Sequence, residues 1–396
     1  MIRIKKLYAA AAAVLVILSG GCSSQSGHKD SVSDTAGSTA EVSAEAAENV
    51  SEALPMRDIS SAELIKEMHI GWNIGNTLDA VGTGLSSETA WGCPKVTQEQ
   101  IDAVKEKGFD VIRIPVTWTG HIDEEGNIDP FWMDRVNEVV DYCVDDNTFA
   151  ILNVHHEEWN HTFADNKDRA VETEIKLWTQ IADRFRNYDE HLIFEAQNEP
   201  RKVGTNKEWT DGDAEAYEVI NAVNSAFYET VRSSGGNNDK RHLMLPSYAA
   251  KFSDAVLQSL ALPEDDKVIV SVHAYIPYNF ALNTAGTDKF SSEKSVSTAE
   301  ITYMLESLEN NLLSKGRAVI IGETGAMNKD NLEYRVDWAD YFISETKKHG
   351  VPCVLWDNFA FSSGETFGLL DRRTLEWKYP ELMDAFMNAA YGKNEE

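Results

Sequence analysis

From Met56 onward, short apolar runs alternate with longer stretches of helical spacing, and this alternation restricts the fold more than any other feature. A strand and a helix in repeating order build a parallel sheet. Eight strands are expected, at His69–Asn73, Val111–Pro115, Phe149–His155, Leu192–Gln197, His242–Pro246, Val268–Val272, Ala318–Gly322 and Val351–Trp356. Between them, Gln98–Lys107 carries Ile101 and Val104 at helical spacing, and Ala216–Val231 and Ala299–Leu313 behave similarly. Phe131–Val144 is expected to place Phe131, Val136, Val139, Val140 and Cys143 on one face. The fifth unit is the weakest, with room for only a short helix after Pro246. Eight such units predict an α/β fold, a single (β/α)8 TIM barrel, over residues 56–396.

That fold makes a test available within the sequence, because its active sites lie at the C-terminal ends of the strands. The first strand ends in Asn73, followed by Asn76. The second carries Arg113 just before Pro115, and the third ends in His155 and His156. The fourth runs into Asn198-Glu199-Pro200, the sixth into His273 and Tyr275, the seventh into Glu323 and the eighth into Trp356. Seven of the eight strand ends therefore carry a residue suited to chemistry or to sugar contact.

The residues before the barrel read as an address. Arg3, Lys5 and Lys6 precede an apolar run from Leu7 to Leu18, then Ser19-Gly20-Gly21-Cys22. This is the layout of a secretory signal, too short to span a bilayer as a stable helix. A cysteine after small residues points to a lipoprotein signal over 1–22, lipidated at Cys22. Residues 23–55 hold Ser, Ala, Glu, Asp and Thr without an aromatic, and read as a flexible linker. The expected location is outside the cell, anchored by lipid to the outer face of a bacterial membrane.

Charge narrows the partners. The chain carries 65 acidic residues against 36 basic, a net charge of −29. Such a surface repels nucleic acid and anionic lipid, so the only membrane contact expected is the lipid anchor. A neutral ligand fits better. Cys93, Cys143 and Cys353 form no CxxC pair and have neither zinc nor disulfide spacing. Cys143 and Cys353 lie in apolar periodic segments and are expected to be buried.

Breaking a glycosidic bond requires two carboxyl groups flanking it, one protonated and one ionised. Glu199 and Glu323 end the fourth and seventh strands, across the barrel mouth from each other. Glu323 is expected to be held ionised by Arg113 and by a hydrogen bond from Tyr275. Glu199, in a less charged setting near His273, is expected to have its pKa raised to about 6. Glu195 lies deeper in the same strand and is expected in a buried ion pair. Tryptophans fit a sugar ligand, since a pyranose presents a C–H face that stacks on indole. Trp72, Trp91, Trp118, Trp159, Trp209 and Trp356 fall at or past strand ends. Trp356 is the expected platform, with Trp118 and Trp72 next.

With these residues in hand the chain resembles glycoside hydrolase family five. The carrying segments are Gly71–Leu78, Val111–Trp118, Asn153–Glu157, Asn198-Glu199-Pro200, His273-Ala274-Tyr275, Gly322–Gly325 and Trp356-Asp357-Asn358, in the family's order. The resemblance implies a retaining double displacement without a cofactor or metal, with Glu199 as acid/base and Glu323 as nucleophile. It implies Arg113, His155, Asn198, His273, Tyr275 and Trp356 as further active-site positions, Asn198 at the sugar 2-hydroxyl. Asn73 and His156 are added as substrate contacts. The expected substrate is an internal β-1,4 bond of cellulose, mixed-linkage glucan or xyloglucan, and the expected state a monomer. Cys93, in Trp91-Gly92-Cys93-Pro94, stands where relatives are expected to carry a polar residue.

Three rivals stand beside this reading. Mannan or xylan could replace the glucan. A non-catalytic glycan-binding lipoprotein would suit the same composition, but needs no placed pair of glutamates. A metal hydrolase could use His155-His156-Glu157, but neighbours on a strand point to opposite faces, whereas zinc needs convergent ligands.

Overall fold

The computed structural model describes residues 52–145 and 147–392. The signal, Cys22 and most of the linker lie outside the described residues. Leu54, placed in the linker by composition, is already tied to the barrel: its N–H donates to Asn187 O at 2.9 Å and its carbonyl accepts from Asn237 at 2.9 Å.

Eight parallel strands close into a barrel, each hydrogen-bonded to the next and β8 to β1. They are β1 (Ile70–Ile74), β2 (Val111–Ile114), β3 (Phe149–Asn153), β4 (Leu192–Glu195), β5 (Leu243–Pro246), β6 (Val268–Ala274), β7 (Ala318–Thr324) and β8 (Cys353–Asp357). A two-stranded ribbon, β9 (Leu370–Asp371) and β10 (Glu376–Trp377), follows in the last loop. The helices are α1 (Ser61–Leu64), α2 (Gln98–Lys107), α3 (Pro130–Cys143), α4 (Lys167–Arg184) and α5 (Ala214–Ser233). After them come α6 (Asp254–Gln258), α7 (Tyr278–Ala281), α8 (Ser295–Asn311), α9 (Leu332–Lys348) and α10 (Pro380–Tyr391). All eight expected strands form, and the fifth unit has only the five-residue α6.

Alternation along each strand divides the core in two. Outward residues such as Ile112, Leu152, Phe194, Val270, Ile321 and Leu355 pack against the helices. Inward residues, among them Val111, Phe149, Ile151, Ile193, Met244, Ile269, Ile320 and Val354, fill the barrel. Leu64, Ile65 and Met68 plug its lower end, on a turn started by the Ser60–Glu63 capping box. Climbing toward the C-terminal ends, the same inward columns turn polar: Asn73, Arg113, Asn153, Glu195, Ser271 and His273. Fold and site thus share one parity.

One strand departs from it. Val272 pairs with Ile321, but His273 pairs with Glu323, so β7 has one extra residue at Gly322. Strict alternation would send Glu323 outward with Val319 and Ile321. The bulge turns it into the barrel, a common use of bulges beside active sites. A Cβ on Gly322 would press on Ser271 Oγ at 3.2 Å and His273 Nε2 at 3.3 Å.

The reading of α3 needs a correction. Phe131 is 71% exposed, while Trp132 and Met133 are buried with Val136, Val139, Val140 and Cys143. Trp132 precedes Val136 by four residues and shares its face; Phe131 precedes it by five, about 140° away round the helix. All three cysteines among the described residues are buried free thiols, and burial pushes Cys93 up to about 11 and Cys353 to about 12. Cys93 lies 3.9 Å from the carbonyls of Gly75 and Asn358, a packing role beneath the cleft.

Neighbouring substitutions on α3 should therefore separate sharply. Trp132→Ala is expected to lower unfolding free energy by about 3–5 kcal/mol, and Phe131→Ser to change it by less than about 0.5 kcal/mol, in urea titrations. Equal losses would contradict the assigned face.

Candidate active site

Arg113 organises the barrel mouth. Its guanidinium is fully enclosed and spends four donor contacts on four residues. Nε donates to Glu195 at 2.7 Å, Nη1 to Asn73 at 3.0 Å and to Glu323 Oε1 at 2.8 Å, and Nη2 to Asn198 at 2.9 Å. Glu195 also accepts from Ser271 at 2.5 Å, which makes it the buried ion-pair partner expected of it. Asn73 donates to the Gly322 carbonyl at 2.9 Å and so holds the bulge. Two expectations change. Asn73 is expected at the substrate and Arg113 among the active-site positions lining it, but neither has any exposed surface. They are positioning residues behind the cleft wall.

Glu323 receives a second donor from Tyr275, whose hydroxyl meets Oε2 at 2.8 Å. Burial and the Glu323 charge push the Tyr275 hydroxyl far above its ordinary pKa, so it remains a neutral donor. The Asn198 carbonyl is taken by Arg113, which leaves its amide nitrogen as the donor available to a ligand.

Glu199 contradicts its expected pKa. His273 Nδ1 donates to Glu199 Oε1 at 2.8 Å, and Arg201 Nη1 stands 3.6 Å from Oε2. Burial raises the carboxyl, but the hydrogen bond and charge of His273, then the charge of Arg201, outweigh it and hold it below the ordinary value. His273 moves the other way. Burial lowers it, yet the charge of Glu323 and the bond to Glu199 bring it above the ordinary histidine value. The setting is more charged than expected, and the resting proton lies on the histidine of the pair.

Oxygens of Glu199 and Glu323 and a nitrogen of His273 all lie within 4.8 Å of one another. Retaining glycosidases hold their carboxyls about 5–5.5 Å apart and inverting ones about 6.5–9.5 Å apart. Oxygens this close fall on the retaining side of that divide and suit direct attack.

His155 and His156 also correct an expectation. β3 ends at Asn153, so both lie past the strand and turn to the mouth together, ring centroids 4.4 Å apart. Asn153 bonds His155 Nδ1 at 3.1 Å, and its Nε2 stands 3.9 Å from Glu323. Glu157 turns away to the Trp118 and Thr119 amides. His156 Nε2 is 4.0 Å from Asp79, wider than the about 3.4 Å that a tetrahedral zinc with bonds near 2.1 Å would impose. Burial lowers His156 to about 4 and keeps it neutral.

Trp356 is partly open and lies parallel to His155, 5.9 Å between centroids. Gly75 makes room for it, since a Cβ there would meet its ring at 2.9 Å. Trp72 and Trp118 are fully buried, bonded to Asp357 and to the Asn153 carbonyl, and cannot be platforms. The open tryptophans are Trp91, 44% exposed and against His156, and Trp209, 60% exposed and over Arg201. Sequence reading did not select either; their strand-end position was visible, their exposure was not. Glu365, in the loop after β8, is a third carboxyl facing the pair. Burial and then repulsion from Glu199 and Glu323 raise it. No motif marks it.

The profile for cellulase (glycosyl hydrolase family 5) matches residues 77–362. The chain belongs to glycosyl hydrolase family 5. Endoglucanase B of Ruminococcus albus is 50% identical over 341 residues, 85% of this chain and 82% of that protein. A solved broad-specificity GH5-4 endoglucanase from Ruminococcus champanellensis with bound cellotriose is 46% identical. It superposes with a TM-score of 0.81 over 84% of this chain and all of that one. A xyloglucan-specific GH5 endo-β-1,4-glucanase from a metagenomic library, with cellotriose, is 39% identical, with a TM-score of 0.80 over 83% of this chain and 98% of that one. In this family 5 barrel the ordered motifs line one mouth.

Removing the organising cation should cost both stability and rate. Arg113→Ala would leave Glu195 and Glu323 buried without their partner, and is expected to destabilise by about 3–5 kcal/mol. Thermal or urea unfolding, read beside activity, checks this; loss of activity at wild-type stability would refute it.

Proposed function

We propose that this chain is a retaining endo-glucanase that cleaves internal β-1,4 bonds of cellulose-type glucans, with Glu323 as nucleophile and Glu199 as acid/base. The observation that carries the mechanism is the cluster of Glu199, His273 and Glu323 within 4.8 Å at the mouth of a family 5 barrel. Arg113 and Tyr275 occupy both oxygens of Glu323, so the carboxylate is aimed when the sugar arrives. Attack at the anomeric carbon forms the glycosyl-enzyme and breaks the bond to the leaving oxygen. That oxygen takes the proton that His273 Nδ1–H passes to Glu199 along the 2.8 Å hydrogen bond, which leaves His273 neutral and Glu199 ionised. Glu199, ionised again, then removes a proton from the water that releases the sugar. The Asn198 amide meets the 2-hydroxyl, His155 and His156 line the same side, and Trp356 stacks beneath the ring.

The substrate class rests on relatives named for cellulose-type chains. The xyloglucan-specific enzyme and the lichenase from Caldicellulosiruptor sp. F32, 40% identical, favour a broad glucan range over mannan or xylan. The neutral substrate also fits a chain of net charge −29. We propose further that the enzyme is a monomer, exported and held at the outer membrane face through Cys22. The basic start and the apolar run from Leu7 to Leu18 support that reading.

Reducing-end release should be assayed on carboxymethylcellulose, mixed-linkage glucan, xyloglucan and mannan side by side. Glu323→Gln should leave only background on all four. Glu199→Gln should lose about 10²- to 10⁴-fold on polymers, yet still be glycosylated by substrates with a leaving group that needs no acid. Wild-type rates in both variants would sink the assignment.

For the anchor, Cys22→Ala should move the protein from the membrane fraction to the medium of the producing cells. An unchanged distribution would exclude lipidation at that residue.

A further inference from the structure

Glu199 is approached by two cations, and only His273 forms a direct side-chain bond with it. The other is Arg201, two residues along the chain. Its Nη1 donates to the Glu199 carbonyl at 2.9 Å and stands 3.6 Å from the Oε2 carboxylate oxygen. Its Nε donates to Glu208 at 3.3 Å, and its Cζ lies 4.2 Å from the Trp209 ring centroid. Glu208 is fixed in turn by the Gly204 N–H at 2.9 Å. The Arg201 carbonyl accepts from Thr162 at 3.2 Å, which ties the loop after β4 to the loop after β3.

We propose that Arg201 is a positioning residue for the reaction: clamped between Glu208 and Trp209, it aims Glu199 and keeps a fixed positive charge at the oxygen that His273 does not hold. This rests on the reading of Glu199 as the group that gives and takes the proton. A guanidinium that grips the backbone of the same residue whose carboxylate it faces limits how far that carboxylate can swing. At 3.6 Å the side-chain contact is too long for a hydrogen bond, so Arg201 acts on Oε2 through charge and leaves that oxygen free to meet the leaving group.

The charges facing Glu199 come from several elements. His273 on β6 and Arg201 after β4 favour its ionised form, and His156 after β3 stands near them as a neutral ring. Glu365 after β8 opposes, as its own carboxyl is repelled by Glu199, and Glu323 on β7 faces the same histidine from 3.7 Å. The two chemical steps ask opposite things of Glu199: a proton in the first, ionisation in the second. A fixed cation beside Oε2 hinders the first step and helps the second. Without it the pair should hold its proton to higher pH, and release of the glycosyl-enzyme should slow.

The test uses the full chain with Arg201→Gln and Arg201→Lys, on mixed-linkage glucan and on a dinitrophenyl cellobioside whose leaving group needs no acid. The upper limb of kcat/KM against pH reports the essential acid in the free enzyme. Arg201→Gln is expected to move that limb up by about 0.5–1 pH unit, the size of a partly screened charge near 4 Å. With the activated substrate its kcat should fall about tenfold while a burst of dinitrophenol is kept, because the second step limits turnover. Arg201→Lys should restore the limb but not the full kcat, since it keeps the charge and loses the fork. An Arg201→Gln limb superimposed on wild type, or a wild-type kcat in Arg201→Lys, would overturn the proposal. Should Arg201→Gln fail to fold, the kcat of Arg201→Lys decides. Undiminished activity in Glu199→Gln would instead overturn the underlying reading, so the two failures are distinguishable.

Discussion

An arginine sealed inside the barrel mouth is the interaction on which the rest depends. Removing a guanidinium from water costs several kcal/mol, and the cost is offset only when its donors are filled and a counter-charge is near. Arg113 meets both conditions with Glu195, Glu323, Asn73 and Asn198, residues from β4, β7, β1 and the turn beyond β4. Those elements can converge on one cation only if the sheet is closed, so site geometry and barrel closure are the same constraint seen twice. Two carboxylates against one guanidinium leave an excess negative charge. Tyr275 and His273 face it, and the Glu323 charge together with the bond to Glu199 raises His273.

Much of this was legible from residue pattern. All eight strands followed from period and spacing, and α2 was located to the residue. Strand ends supplied the catalytic set, because an inward column that is apolar below and polar above can only be a barrel with a mouth. What pattern could not give was depth. Asn73 and Arg113 have the chemistry of sugar-binding residues, and only the closed sheet reveals that they lie behind the wall. Trp72 and Trp118 fail as platforms for the same reason. Phe131 was misplaced by one residue's rotation, an error that helical periodicity permits wherever two large apolar residues are adjacent.

Glu323 shows a subtler limit. Two-residue alternation predicts the wrong face for it, and a single extra residue at Gly322 restores the right one. A glycine inside an apolar run is the trace such a bulge leaves in a sequence. The error at Glu199 has a different origin. Its expected pKa was reasoned from a less charged setting, whereas His273 bonds and charges it, and Arg201 folds back along the chain to add a second cation. A proton resting on His273 does not remove the acid from the mechanism. It makes the acid a property of a hydrogen-bonded pair, in which the leaving oxygen need only draw the proton across one bond.

Electrostatics also explains how a chain this acidic can recognise its ligand. A net charge of −29 exerts no steering force on a neutral polymer, so long-range attraction cannot guide binding. Affinity must come from contact, and the open aromatic surfaces are placed for it. Trp356 lies against His155, Trp91 reaches the centre through His156, and Trp209 reaches it through Arg201. Each indole available for stacking touches a residue that also faces one of the two catalytic carboxyls or the histidines beside them. A sugar ring that stacks well therefore presses on the groups that set the charge of the site. Binding energy gained away from the reacting bond can in this way act on the reacting groups, provided the side chains between them cannot yield. The clamp on Arg201 and the saturation of Arg113 supply that rigidity on the two sides of the pair.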